Sequence, residues 1–212
     1  MHRSIQIIQN FSSRTFHPEL FIQNFSSRTF HPEIILISHN HFDHMSLDDL
    51  KKISTNDTII VAAKECMEQL AKIPAKEKID LSPGQEKIIN NIKIKAVPAY
   101  NIDKINPDTH KPFHPKEDNK IGYVINIDET SIYHTGDSDI IPTMTDIKPD
   151  ILLIPVSGTY VMTAKEAAKA VEKIKPKVAI PMHYGTIVGS DVDAKEFKDT
   201  VKSCEVQILT KE

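Results

Sequence analysis

Six residues, His39-Asn40-His41-Phe42-Asp43-His44, constrain this chain more than any others, because they place four good metal ligands directly behind the apolar run Ile34-Ile35-Leu36-Ile37. That run is too short for a helix and rich in β-branched residues, so Ile34 to Ser38 reads as a buried strand. On extended backbone, side chains two apart project to the same side. His39 and His41 can therefore grip one ion, while Asp43 and His44, where the chain turns, reach a second. Two adjacent metal sites follow, and they point to a metal-dependent hydrolase.

A length of 212 residues suits one domain with a sizeable core. The net charge is only -3, so no global positive field recruits nucleic acid or an anionic membrane, and a small-molecule substrate is the expected partner. The two cysteines, Cys66 and Cys204, lie far apart in sequence, which gives no disulfide framework and no zinc finger and fits a reducing cytoplasm. No apolar run is long enough for a membrane span or a signal peptide. Oligomeric state is left open.

Residues 8–19 (IQNFSSRTFHPE) recur without change as residues 22–33, a direct repeat with a period of 14 residues. Two copies cannot make a solenoid. Packing equivalence would let the copies drift, so perfect identity points to recent duplication more than to structural demand. Residues 1–33 are accordingly set apart as an atypical amino-terminal segment, with residues 34–212 as the functional domain. His17 and His31, inside the copies, read as ordinary polar residues, and His2 carries no signal.

Beyond residue 33 strands and helices alternate. Ser46 with Asp49 opens a short helix to about Ile53. Thr58 to Ala62 reads as a strand and Lys64 to Ile73 as a helix. Asn90-Asn91 between two apolar runs predicts a hairpin over Lys87 to Val97, and Pro98 ends it. Residues 101–120, with three prolines and several Asp and Asn, form a long loop of the functional kind. A second hairpin turns at Asp128-Glu129-Thr130. Asp150 to Val156 is a strand, Thr163 and Glu166 cap a helix that Pro176 closes, Val178 to Pro181 is a strand, Ala194 to Ser203 a helix, and Val206 to Thr210 the last strand. The expected class is α/β with layered sheets.

Three more candidate ligands stand at element ends, as an α/β scaffold builds its sites. Asp137 follows a strand in Tyr133-His134-Thr135-Gly136-Asp137, where Gly136 permits a tight turn. His183 follows Val178 to Pro181, and His114 sits in the long loop, where His110 competes with it. His134 reads as packed or as a support behind the ligands, Asp139 as a turn cap or an orienter of a ligand histidine, Tyr184 and Thr186 as hydroxyls for substrate or for local hydrogen bonds, and Lys116 as a solvated loop cation that could meet an anionic substrate.

From about residue 33 onward the chain resembles the metallo-β-lactamase fold hydrolases, whose most specific signature is the HxHxDH motif. The segments YHTGDSD (133–139) and PMHYGT (181–186) look like the small stand-alone branch related to ascorbate-phosphate lactonases. The resemblance implies an αββα sandwich with two central mixed sheets, the duplicated segment standing where relatives carry their first paired strands. It implies that His39, His41 and His114 hold one ion, that Asp43, His44 and His183 hold the other, and that Asp137 bridges them. Two divalent ions are expected, zinc first and Mn or Fe as alternatives, since the set offers imidazole and carboxylate without thiolate. Water acidified toward ~7 by the ions would attack an ester, lactone or phosphodiester, with Asp43 and Asp137 positioning it. Members of the di-iron oxygen-using branch resemble a form with Glu at the position of His41, so hydrolysis is expected. The rival readings are metal binding without turnover, and a nuclease of the same fold.

Overall fold

The computed structural model describes residues 5–7, 31–185 and 187–209. Most of the duplicated segment, with His17, and also His2, Thr186 and Thr210, lies outside the described residues. The chain divides into two compact units, Met1–Leu81 with Thr210–Glu212, and Ser82–Leu209.

The first unit is built on a four-stranded sheet in the order β1 (Ile5–Ile7), β2 (Ile34–Ile37), β3 (Ile59–Ala63), β4 (Glu77–Leu81). All three pairings are parallel, with Ile34 opposite both Ile5 and Ile59. Every residue of β2 and β3 is buried, which is why both read as unbroken apolar runs rather than alternations. By contrast β4, at the sheet edge, is Glu-Lys-Ile-Asp-Leu and buries only Leu81. Its charge fits an edge strand and hides it from a search for apolar runs. Helix α1 (Leu47–Ile53) starts where the Ser46 hydroxyl accepts from the Asp49 N–H. The helix expected over Lys64 to Ile73 shrinks to a 3-10 turn, Lys64–Cys66, and the single-turn α2 (Met67–Leu70). Both Ala71 and Ile73 donate back only three residues, to Glu68 and Leu70, so the segment tightens and stops short of Pro74.

The second unit carries a seven-stranded mixed sheet. In chain order its strands are β5 (Glu86–Ile89), β6 (Ile92–Pro98), β7 (Ile121–Ile127), β8 (Thr130–His134), β9 (Ile151–Pro155), β10 (Val178–Met182) and β11 (Glu205–Val206), and they lie side by side in that order. Pairings from β5 to β8 are antiparallel and those from β8 to β11 parallel. Asn90 and Asn91 take φ of 49° and 64°, the doubly left-handed turn that a two-residue hairpin needs and that asparagine tolerates. At the second hairpin only the first turn residue, Asp128, is left-handed, with φ 52°.

Helix α3 (Ala164–Ile174) opens with a reciprocal Thr163–Glu166 capping box. It buries Ala164, Ala167, Ala168, Ala170, Val171 and Ile174, a stripe at helical spacing. That stripe packs in one core with Leu152 and Ile154 of β9, Tyr133 of β8 and Phe197 of α4 (Asp191–Thr200). The start of α4 lies ahead of the expected Ala194, because Ser190 and Asp193 form a second capping box. The last strand is β11, shorter than expected and beginning at Glu205. No helix of the described residues is long and apolar enough to cross a membrane.

Candidate metal centre

Each unit presents its own group of ligand-type side chains, all of them just past the carboxyl ends of strands except His114, which the long loop carries. In the first unit β2 runs straight into Ser38 and His39, both buried. The chain then turns, with the N–H groups of His44 and Met45 both donating to the His41 carbonyl. That turn gathers the rings: His39 lies 4.6 Å from His41, edge-on, and 4.0 Å from His44, tilted by 38°, centroid to centroid. It also brings His44 Nε2 to 3.5 Å from Asp43 Oδ2. Phe42, between two ligand-type residues, points outward and is 67% exposed.

In the second unit His114, Asp137 and His183 meet. All three are buried. Asp137 Oδ2 lies 3.6 Å from His114 Nε2 and 3.2 Å from His183 Nε2. Asp137 is delivered by the turn after β8, where Gly136 has φ +64° and a Cβ would sit 2.7 Å from the Ile121 carbonyl oxygen. Any side chain there would push the turn away from the sheet. His183 follows β10 and is itself left-handed, with φ +59°. A non-glycine residue held there stores about 1–3 kcal/mol of strain, the mark of a position kept for its side chain. His110, the rival third ligand, is exposed in a turn of the long loop at φ +55° and is not part of this group.

The geometry can be tested against the ligand chemistry of an ion. With Zn–N and Zn–O bonds of about 2.0–2.2 Å, two ligand atoms of a tetrahedral ion stand about 3.4 Å apart. The three N···O separations within the units, 3.5, 3.6 and 3.2 Å, fall on that value. The imidazole orientation agrees. Ser38 Oγ lies 2.9 Å from His39 Nδ1 and 3.3 Å from His44 Nδ1, and with two lone pairs it can accept from both rings. Ser157 Oγ lies 3.1 Å from His183 Nδ1, and Asn101 Oδ1 2.8 Å from His114 Nδ1. With Nδ1 occupied in all four rings, Nε2 is the nitrogen that could meet an ion, the arrangement that metal-binding histidines adopt.

The remaining candidates take other roles. His134 is buried, and its Nδ1 accepts the Gly136 N–H at 3.1 Å, bracing the turn that carries Asp137. Asp139 caps a turn, though not its own: its Oδ2 accepts from the Ile102 and Asp103 N–H groups at 2.6 and 3.1 Å. Tyr184 packs against the core, and burial followed by the Asp191 charge holds its phenol above the ordinary range. The Lys116 ammonium sits over the Tyr100 ring, 5.4 Å from its centre. Sequence reasoning missed Ser38, Asn101 and Ser157. Their only signal is position, since each is a small polar residue within three positions of a strand end.

Residues 17–183 match the family described as beta-lactamase superfamily domain. A UPF0173 metal-dependent hydrolase of Thermoplasma acidophilum is 35% identical over 77% of this chain and 70% of its own length. One from Archaeoglobus fulgidus is 30% identical over 80% and 73%. Among solved structures, one described as a metal-dependent hydrolase from Parabacteroides distasonis superposes with a TM-score of 0.71 at 34% identity, over 84% of this chain and 76% of that one. The two-sheet α/β chain described above therefore belongs to the beta-lactamase superfamily and is a metal-dependent hydrolase of metallo-β-lactamase fold.

Proposed function

We propose that this hydrolase is dinuclear and that it uses water to open an ester, lactone or phosphodiester of a small molecule. His39, His41 and His114 would hold one ion, Asp43, His44 and His183 the other, and Asp137 both. The observation that carries the reading is Asp137. One of its carboxylate oxygens stands at ligand-to-ligand distance from the imidazoles of His114 and His183, which the proposal gives to different ions. Imidazole and carboxylate donors without thiolate favour Zn, with Mn or Fe as alternatives.

Bound ions of this kind acidify water toward neutral pH and polarise the group under attack. The chain's own part is to orient. Asp137 and Asp43 would position the attacking water, and the hydrogen bonds at Nδ1 keep the rings from turning. No covalent nucleophile is required of the protein. Cys66 is fully buried, and burial, then the Glu172 charge, raises the Cys204 thiol, the opposite of an activated thiolate. A net charge of -3 supports a small-molecule substrate over nucleic acid or an anionic membrane.

Protein reconstituted with Zn, Mn or Fe, then offered an aryl ester, a lactone and an aryl phosphodiester, should turn over at least one of them. Chelation should stop the reaction and metal return should restore it. Full metal loading without turnover of any of the three would favour a metal-binding protein instead.

A further inference from the structure

We infer that Asn101 is a positioning residue that selects the metal-binding tautomer of His114; the inference rests on the metal-centre reading above. Asn101 is 3% exposed and lies thirteen residues before His114. Its backbone N–H donates to the His114 carbonyl at 2.8 Å, and its Oδ1 accepts the His114 N–H at 3.0 Å. The same Oδ1 lies 2.8 Å from His114 Nδ1, while Nδ2 donates to the Tyr160 carbonyl at 3.1 Å.

These contacts leave the amide one orientation. A backbone N–H can only donate, so the oxygen faces His114, and a carbonyl can only accept, so the NH2 faces Tyr160. The amide oxygen accepts and never donates. Nδ1 of His114 must then carry the ring proton, and in a neutral imidazole Nε2 holds the lone pair. Nε2 is the atom that faces Asp137 Oδ2. Asn101 thus closes the loop and sets the ligand with one oxygen.

Two variants separate this role from loop closure. Asn101→Asp and Asn101→Leu both lose the bond to Tyr160, but only Asp keeps an oxygen toward His114. The probes are Zn(II) titration against a competing chelator and nitrogen-15 spectra of the imidazoles in zinc-free protein. Asn101→Leu should weaken the ion assigned to His114 by about 10–100-fold and mix its tautomers. Asn101→Asp should stay close to wild type on both readouts. Equal losses in the two variants, or wild-type affinity in Asn101→Leu, would overturn the inference. Even if neither variant folds, a wild-type spectrum with the His114 proton on Nε2 overturns it. A wild type that binds one ion contradicts the dinuclear reading instead, and the Asp-against-Leu contrast still decides the role of Asn101.

Discussion

Asp137 and the glycine before it carry the strongest expectations at the scale of single residues. Asp137→Ala should abolish hydrolysis and metal retention while the unfolding midpoint hardly changes, because a small carboxylate at a strand end contributes little apolar burial. Wild-type turnover in that variant would remove the bridging role. Gly136→Ala should cost stability as well as activity. It forces a Cβ to 2.7 Å from the Ile121 carbonyl oxygen at φ +64°, so a stability loss of at least about 1–3 kcal/mol in denaturant titration is expected, with activity falling as Asp137 shifts. The seven ligand-type residues could be proposed from the chain because four fall within six positions, Asp137 and His183 stand just past strands, and His114 sits in a proline-rich loop. Ser38, Asn101 and Ser157 were not. Ser157 meets His183 from twenty-six residues away and Asn101 meets His114 from thirteen, and nothing local in either segment encodes such a contact. Ser38→Ala should weaken zinc binding by about 10–100-fold, measured by chelator competition, since one hydroxyl serves two rings.

Among the elements, α3 and the long loop are tied by a small charge network that predicts a pH dependence. Lys104 Nζ reaches Asp103 at 2.7 Å, Glu166 at 3.0 Å and Asp139 at 3.8 Å. Burial pushes the Glu166 carboxyl up, but the Thr163 N–H, the Lys104 ammonium and the Thr163 hydroxyl outweigh it, and the group sits below its ordinary 4.5. A carboxylate depressed by folding stabilises the fold above its unfolded value and stops doing so as pH falls through the folded one. Wild type should therefore exceed Glu166→Gln in stability at pH 7, and the gap should narrow as pH drops below 4.5. A gap that stays constant down to pH 3 would contradict the assignment. The capping box and both hairpins could be read from sequence because their signals are local: Thr163 with Glu166, the paired Asn90-Asn91, the acidic Asp128 turn. The short 3-10 and α2 turns and the charged β4 could not, because tertiary packing set their length and pairing.

At the scale of the whole chain, the unusual feature is the repeat of residues 8–19 as 22–33. β1 precedes the first copy and pairs in parallel with β2, which follows the second. Deleting residues 8–21 removes one period and leaves residues 22–33 to join the two strands, close to the dozen residues that a parallel connection needs. Such a deletion should stay soluble and keep its metals. An insoluble or metal-free product would show that the first copy supplies structure of its own.

The central claim is that seven side chains hold two ions, and metal counting on the purified, reconstituted chain tests it most directly. The account predicts two ions per chain by elemental analysis. It predicts one remaining ion in His183→Ala and one in His41→Ala, and neither held firmly in Asp137→Ala. One ion per chain in fully loaded wild type, unchanged by His183→Ala, would contradict it.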